Sequence, residues 1–146
     1  MMAIRSFFML MRKSNAVYDK YCRKVIDQWG LNSTSFQVIM FVANNPQDNT
    51  ARDICRLRGM KTGIVSVAIE QLCAEGLLRR ENDLLDRRIQ RLYPTEKAQP
   101  LIEDGRQVQY RFFHQLQQAM TPEEFELYLH LTMKLKNTIE EMDQDA

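Results

Sequence analysis

The chain has 146 residues, 45% of them hydrophobic and 27% charged, with 20 lysines and arginines against 19 aspartates and glutamates. Those proportions describe one ordinary globular domain, and no apolar run approaches the roughly 20 residues a membrane-spanning helix needs. Three cysteines without a CxxC pair argue against a disulfide framework and for a reducing compartment, the cytosol.

The first thirteen residues, MMAIRSFFMLMRK, are apolar but lack a small-residue cleavage site, so no signal peptide is expected. From about Ile4 to Trp29 the pattern predicts one long helix or a broken pair. Val17, Tyr18, Tyr21, Cys22, Val25, Ile26 and Trp29 form one stripe, with Phe7, Phe8, Leu10 and Met11 a second apolar cluster. Gly30 ends this helix, and Asn32 is the expected N-cap of the next. Phe36, Ile39, Met40 and Ala43 form its buried face, and Asn44-Asn45-Pro46 closes it. Thr50 with Asp53 three residues on is a capping-box variant that opens a short helix, and Gly59 supplies the tight turn after it. In the helix that follows, Val65, Ala68, Ile69 and Leu72 share one face, while Thr62, Gly63, Ser66, Val67 and Glu70 share the other. Gly76 fits its C′ position. Leu77 to Glu81 and Ile89 to Tyr93 then flank Asn82-Asp83-Leu84-Leu85-Asp86 as the two arms of a hairpin.

Thr95 is expected to cap a helix reaching about Met120, with Pro100 bending its first turn or delaying its start. Thr121-Pro122-Glu123-Glu124 opens a last helix that carries Phe125, Tyr128, Leu131, Leu135, Ile139 and Met142 on one side. The predicted fold is mostly α with a small β-hairpin wing, a winged helix-turn-helix. It is read as one domain over residues 1–146, with the winged lobe at 31–94 and dimerisation helices in 1–30 and 95–146. A small winged lobe covers one flanking helix, so the stripes Tyr21/Val25/Trp29 and Tyr128/Leu135/Ile139 are surplus and predict a two-fold homodimer.

Charge is segregated along the chain. Between Arg52 and Arg91 basic residues outnumber acids, and after Thr121 only Lys134 and Lys136 face seven acids. Screening confines such fields to about 8–10 Å, so the local surplus matters more than the net charge for phosphate contact. At the wing, Asp86, Arg87 and Arg88 suit minor-groove insertion of an arginine whose rotamer Asp86 holds, with Arg79, Arg80 and Arg91 flanking them. Thr62, Gly63 and Ser66 are placed to reach base edges or phosphates, and Arg58 and Lys61 to reach phosphates. The other use of such a lobe is protein docking or dimerisation without DNA, which has no need of this arginine cluster. Nothing points to an enzyme, a cofactor or a metal: there is no Gly-rich phosphate loop or nucleophile motif, and His114 and His130 stand isolated. None of Cys22, Cys55 and Cys73 is expected to be a redox sensor, although Cys55 lies between Arg52 and Arg58.

This arrangement resembles the multiple-antibiotic-resistance regulator (MarR) family of bacterial transcription factors over nearly the whole chain. The residues that carry the resemblance are Leu31, Ile54-Cys55, Leu72 with Gly76-Leu77, and above all the wing. There Asp86-Arg87-Arg88 precedes Leu92-Tyr93-Pro94-Thr95-Glu96-Lys97, close to the family's Asp-x-Arg…Leu-Thr-x-x-Gly pattern. The chain departs from it at Ala98, where the family has Gly, at Pro100, and at Ile64 and Val67, where polar or basic side chains are usual. The resemblance implies a cytoplasmic homodimer on an inverted-repeat operator in double-stranded DNA. It further implies a repressor released by a small apolar or aromatic effector.

Overall fold

The computed structural model describes residues 1–145, with Asp145 as backbone only. It has six α-helices and one two-stranded sheet among those residues: α1 (Met2–Gln28), α2 (Ser33–Asn44), α3 (Ala51–Arg58), α4 (Thr62–Ala74), β1 (Leu78–Asn82), β2 (Gln90–Pro94), α5 (Gln99–Gln118) and α6 (Pro122–Asp145). A 3-10 turn, Glu96–Ala98, precedes α5. The mostly helical winged-helix fold expected from the sequence is the observed one. Two compact units emerge, residues 1–109 and the described residues from 110 onward.

The first unit is built around α2. Phe36, Val38, Ile39, Met40 and Val42 are all buried, so α2 is covered on nearly every side and not on one stripe alone. Ile54 of α3, the Val65/Ala68/Ile69/Leu72 face of α4, Leu78 and Leu92 of the hairpin, and Leu101, Ile102 and Val108 of α5 complete the core. Gly105 belongs to it too: a Cβ there would press on the Met40 side chain and on Phe36, so glycine lets α5 lie against α2. The C-terminal half of α1 joins through buried Cys22 and Val25, and Trp29 Nε1 donates to Asp104 at 3.0 Å. Tyr21, Val25 and Trp29, expected as surplus apolar surface, are therefore covered within their own unit. The uncovered part of α1 is its other end, where Ile4, Phe7, Phe8, Leu10 and Met11 are exposed.

Local signals hold most of the element boundaries. Asn32 accepts from Ser35 N at 2.8 Å, and Thr50 and Asp53 cap each other reciprocally at 3.1 and 3.2 Å. Gly30, Gly59 and Gly76 take positive φ at three helix ends, a conformation that costs L-residues with a Cβ. Leu77 N closes α4 by donating to Leu72 O, so the hairpin begins one residue later than the pattern suggested. Thr95 does not cap a helix with its side chain. Its hydroxyl donates to Gly76 O while Lys97 Nζ donates to Glu75 O at 2.8 Å, and together they serve the carbonyl end of α4. Pro100 falls in the first turn of α5, where its missing N–H costs nothing. Buried Ala98 fits its 3-10 turn because no residue other than glycine has positive φ there or elsewhere among the described residues.

The second unit is the end of α5 and all of α6. Thr121 N donates to Glu124 Oε2 at 2.8 Å and Glu124 N to Thr121 Oγ1 at 3.2 Å, a reciprocal cap at the start of α6. Phe113 and Phe125 meet edge to face at 5.6 Å and Phe125 stacks on Tyr128 at 6.3 Å. Beyond those rings, Leu131, Leu135, Ile139 and Met142 lie exposed along α6.

Candidate nucleic-acid interface

The site grows from two short elements that the core of the first unit presents to solvent. The first is the start of α4. Its buried residues recur at three- and four-residue steps, which leaves Thr62, Gly63, Ile64, Ser66 and Val67 exposed. Lys61 occupies the N-cap position, and among the described residues no side-chain hydrogen bond caps the helix. The first-turn N–H groups of α4 and the positive end of its dipole are thus free of a protein side-chain acceptor, next to an exposed lysine. Gly63 has open space where a Cβ would sit and no positive φ, so the fold itself does not demand glycine there.

The second element is the wing. Strands β1 and β2 pair antiparallel with Leu78 opposite Pro94 and Asn82 opposite Gln90. In the connecting loop, Asp86 binds Arg88 three times: Oδ1 accepts from the backbone N–H at 3.0 Å and from Nε at 3.1 Å, and Oδ2 from NH2 at 3.2 Å. The paired Arg88 guanidinium, then its backbone N–H, hold the Asp86 carboxyl below the usual carboxylate range. The Arg88 side chain nevertheless stays 91% exposed. A planar fork is fixed on one edge and open on the other, the geometry in which arginine meets phosphate or a narrow groove. Arg87 beside it is exposed and forms no ion pair among the described residues, and Leu84 and Leu85 stand fully exposed at the same tip.

The other arginines of the region behave differently from what their sequence position suggests. Arg91 Nε donates to Asp83 Oδ1 at 2.6 Å and NH1 to Asn49 Oδ1 at 2.9 Å, while Asn49 Nδ2 donates to Leu92 O at 3.0 Å. Asn49 is 1% exposed, so this cluster rivets the wing to the segment before α3. Asp83 is held low in pKa by the Arg91 guanidinium and then by the backbone N–H groups of Asp86 and Leu85. Arg80 pairs with Glu70 of α4 at 2.6 Å, and Arg79 pairs with Glu81 and lies over the Tyr93 ring at 4.7 Å. Arg79, Arg80 and Arg91 therefore brace the wing, whereas Arg87 and Arg88 at its tip and Lys61 before α4 stay exposed. The buried Asn49 was missed by sequence reasoning; a lone asparagine in a polar loop carries no periodic signal.

Arg58, expected as a phosphate contact, ends α3 and donates from NH2 to Gln37 Oε1 at 3.2 Å. It lines a cavity of about 120 Å³ with Tyr18, Phe36, Gln37, Phe41, Asn44 and Gln109. Burial pushes the Tyr18 phenol up to about 12, against a smaller lowering from the hydrogen bond Gln109 donates at 3.0 Å. Burial likewise raises the Cys22 and Cys73 thiols, which opposes thiolate formation. Among the described residues no group of three or more His, Cys, Asp and Glu is arranged to hold a metal ion, and no helix is long and apolar enough to cross a membrane.

Residues 29–89 match the sequence model of the MarR family. The chain is similar in structure to a MarR-family transcriptional regulator from Silicibacter pomeroyi, with 23% identity over 89% of this chain and 87% of that one and a TM-score of 0.76. It is also similar to S. aureus MepR in complex with DNA, with 18% identity over 90% and 97% of the two chains and a TM-score of 0.72. A third likeness is to Bordetella bronchiseptica BpsR, whose DNA binding is regulated by 6-hydroxynicotinic acid, at 20% identity, 90% and 98% coverage and a TM-score of 0.67. At these identities the structural likeness is one of fold. Together with the matched segment it bears out the resemblance read from the sequence.

Proposed function

We propose that this chain, a MarR-family winged helix over residues 29–89 with the fold of that family's regulators throughout, is a homodimeric, sequence-specific DNA-binding transcription regulator. The observation that carries the reading is the Asp86–Arg88 fork. A surface arginine held by three contacts to one carboxylate, yet 91% exposed, is preorganised for an external anion. In this reading α4 enters the major groove through Thr62, Gly63 and Ser66, Lys61 neutralises a phosphate, and Arg88 with Arg87 follows the adjacent minor groove. Two-fold symmetry of the protein requires an inverted repeat with half-sites about one helical turn apart. MepR, of the same fold, is known bound to DNA. Duplexes selected from a random pool by the parent chain provide the test. Arg88→Ala is expected to weaken binding by about 1–3 kcal/mol and to flatten its salt dependence. Equal binding by parent and Arg88→Ala at several salt concentrations would remove the wing from the interface.

The regulator acts as a repressor that a small ligand releases, and the ligand seat is the cavity beside Tyr18 and Arg58. Its volume of about 120 Å³ is close to the roughly 150 Å³ of an engineered cavity that holds benzene. Three aromatic rings, four amides and one guanidinium line it, a set that suits a single-ring aromatic acid, the class to which the BpsR ligand belongs. Arg58 is the last residue of α3, so a carboxylate bound to it acts directly on the helix-turn-helix. Such a ligand shifts the equilibrium only if it prefers the DNA-incompetent state. A panel of single-ring aromatic acids should contain members that raise the thermal midpoint and lower DNA affinity; a panel that moves neither quantity contradicts the assignment. In this role Arg58 is a ligand contact in place of the phosphate contact expected from its sequence position.

A further inference from the structure

We propose that Ile64 and Val67 read the operator by packing against thymine C5-methyl groups in the major groove. The inference rests on the DNA-binding function proposed above and identifies which side chains supply its sequence preference. Ile64 is 49% and Val67 69% exposed, and they lie three residues apart on the open face of α4. They border an open groove of about 280 Å³, with Thr34 and Gly63 on its rim. Exposed β-branched residues at the centre of such a face do no work for the fold of this chain.

The polar side chains of the same helix narrow the possibilities. Glu70 is committed to Arg80 at 2.6 Å. Gln71, the one amide on α4 able to recognise adenine bidentately, accepts from Asn32 at 3.1 Å and Ser35 at 3.4 Å and donates to Glu75 at 3.4 Å. What remains outward beside the apolar pair is the hydroxyls of Thr62 and Ser66, which accept or donate with little discrimination between bases. The thymine methyl is the apolar feature of the major-groove edge, so it is the base mark this surface distinguishes best. A protein partner fits the pair less well. Two side chains beside an exposed lysine and an uncapped helix start fall far short of the roughly 800 Å² per partner of a stable protein interface.

The test uses duplexes selected from a random pool by the parent chain, resynthesised with each thymine replaced singly by deoxyuridine, which removes only the methyl. At one or two positions per half-site the parent should bind about fourfold more weakly, the worth of one buried methyl. The Ile64→Ala/Val67→Ala chain should bind the thymine and uracil duplexes alike. Both residues are exposed, so this chain should keep the parent's thermal midpoint, which shows that the lobe remains folded. Equal affinity of the parent for thymine and uracil at every position, or discrimination retained by the double substitution, overturns the inference and leaves DNA binding standing. A parent chain that selects no duplex overturns instead the function on which it rests.

Discussion

Residues 1–109 and residues 110–145 are assembled from the same kind of amphipathic helix, yet every fully buried hydrophobic side chain among the described residues lies between Cys22 and Val108. In α4 the stripe Val65, Ala68, Ile69 and Leu72 is at most 3% exposed. In α6 an equally regular stripe, Tyr128, Leu131, Leu135, Ile139 and Met142, is between 40% and 64% exposed. Periodicity shows that a helix has a face to bury and is silent about what covers it. A helix of this kind gains most of its stability from packing its apolar face, so the exposed stripe of α6 calls for cover. The same contrast runs along α1, where the end around Cys22 and Val25 is covered and the end around Phe7 and Phe8 is not. A second copy of the chain, joined by a two-fold axis, supplies that cover in our account.

Substitutions separate the two regions by how their effects depend on concentration. The largest effect belongs to the self-contained unit. Leu72→Ala leaves a cavity at a fully buried site and should lower unfolding free energy by about 2–5 kcal/mol at any protein concentration, read by urea denaturation. Leu135→Glu, in a residue 53% exposed in one chain, should instead act through association. A buried interface anchor of this size is worth about 2 kcal/mol, so its dimer dissociation constant should rise by about thirtyfold or more in dilution experiments. If Leu135→Glu leaves association unchanged, α6 does not form the interface.

Much of this was legible in the sequence, and the reasons are local. The Asn32 cap, the Thr50–Asp53 box, the Thr121–Glu124 cap and the turns at Gly59 and Gly76 each involve residues within a few positions of one another, where chain geometry alone fixes the partners. The Asp86–Arg88 pairing is local in the same way. What escaped depends on distant partners. Nothing near Thr95 announces that its hydroxyl serves Gly76 O instead of a helix start. The arginines at 79, 80 and 91 looked like outward charge until Tyr93, Glu70, Asp83 and Asn49 met them in the folded wing. Tyr21, Val25 and Trp29 looked surplus because their cover comes from elements later in the chain, including Asp104 on α5. The contact between Arg58 and Gln37 could not be read either, because Gln37 lies 21 residues away in sequence.

The most direct test of a dimeric DNA reader is the mass of its complex. Sedimentation equilibrium of the chain with a selected inverted-repeat duplex, at micromolar concentration, counts the chains each duplex carries. We expect the mass of the duplex plus twice the 17.3 kDa of one chain, with the free protein also sedimenting as a dimer. A complex holding one chain per duplex, or a free chain that stays at 17.3 kDa and does not associate with the duplex, would contradict the account.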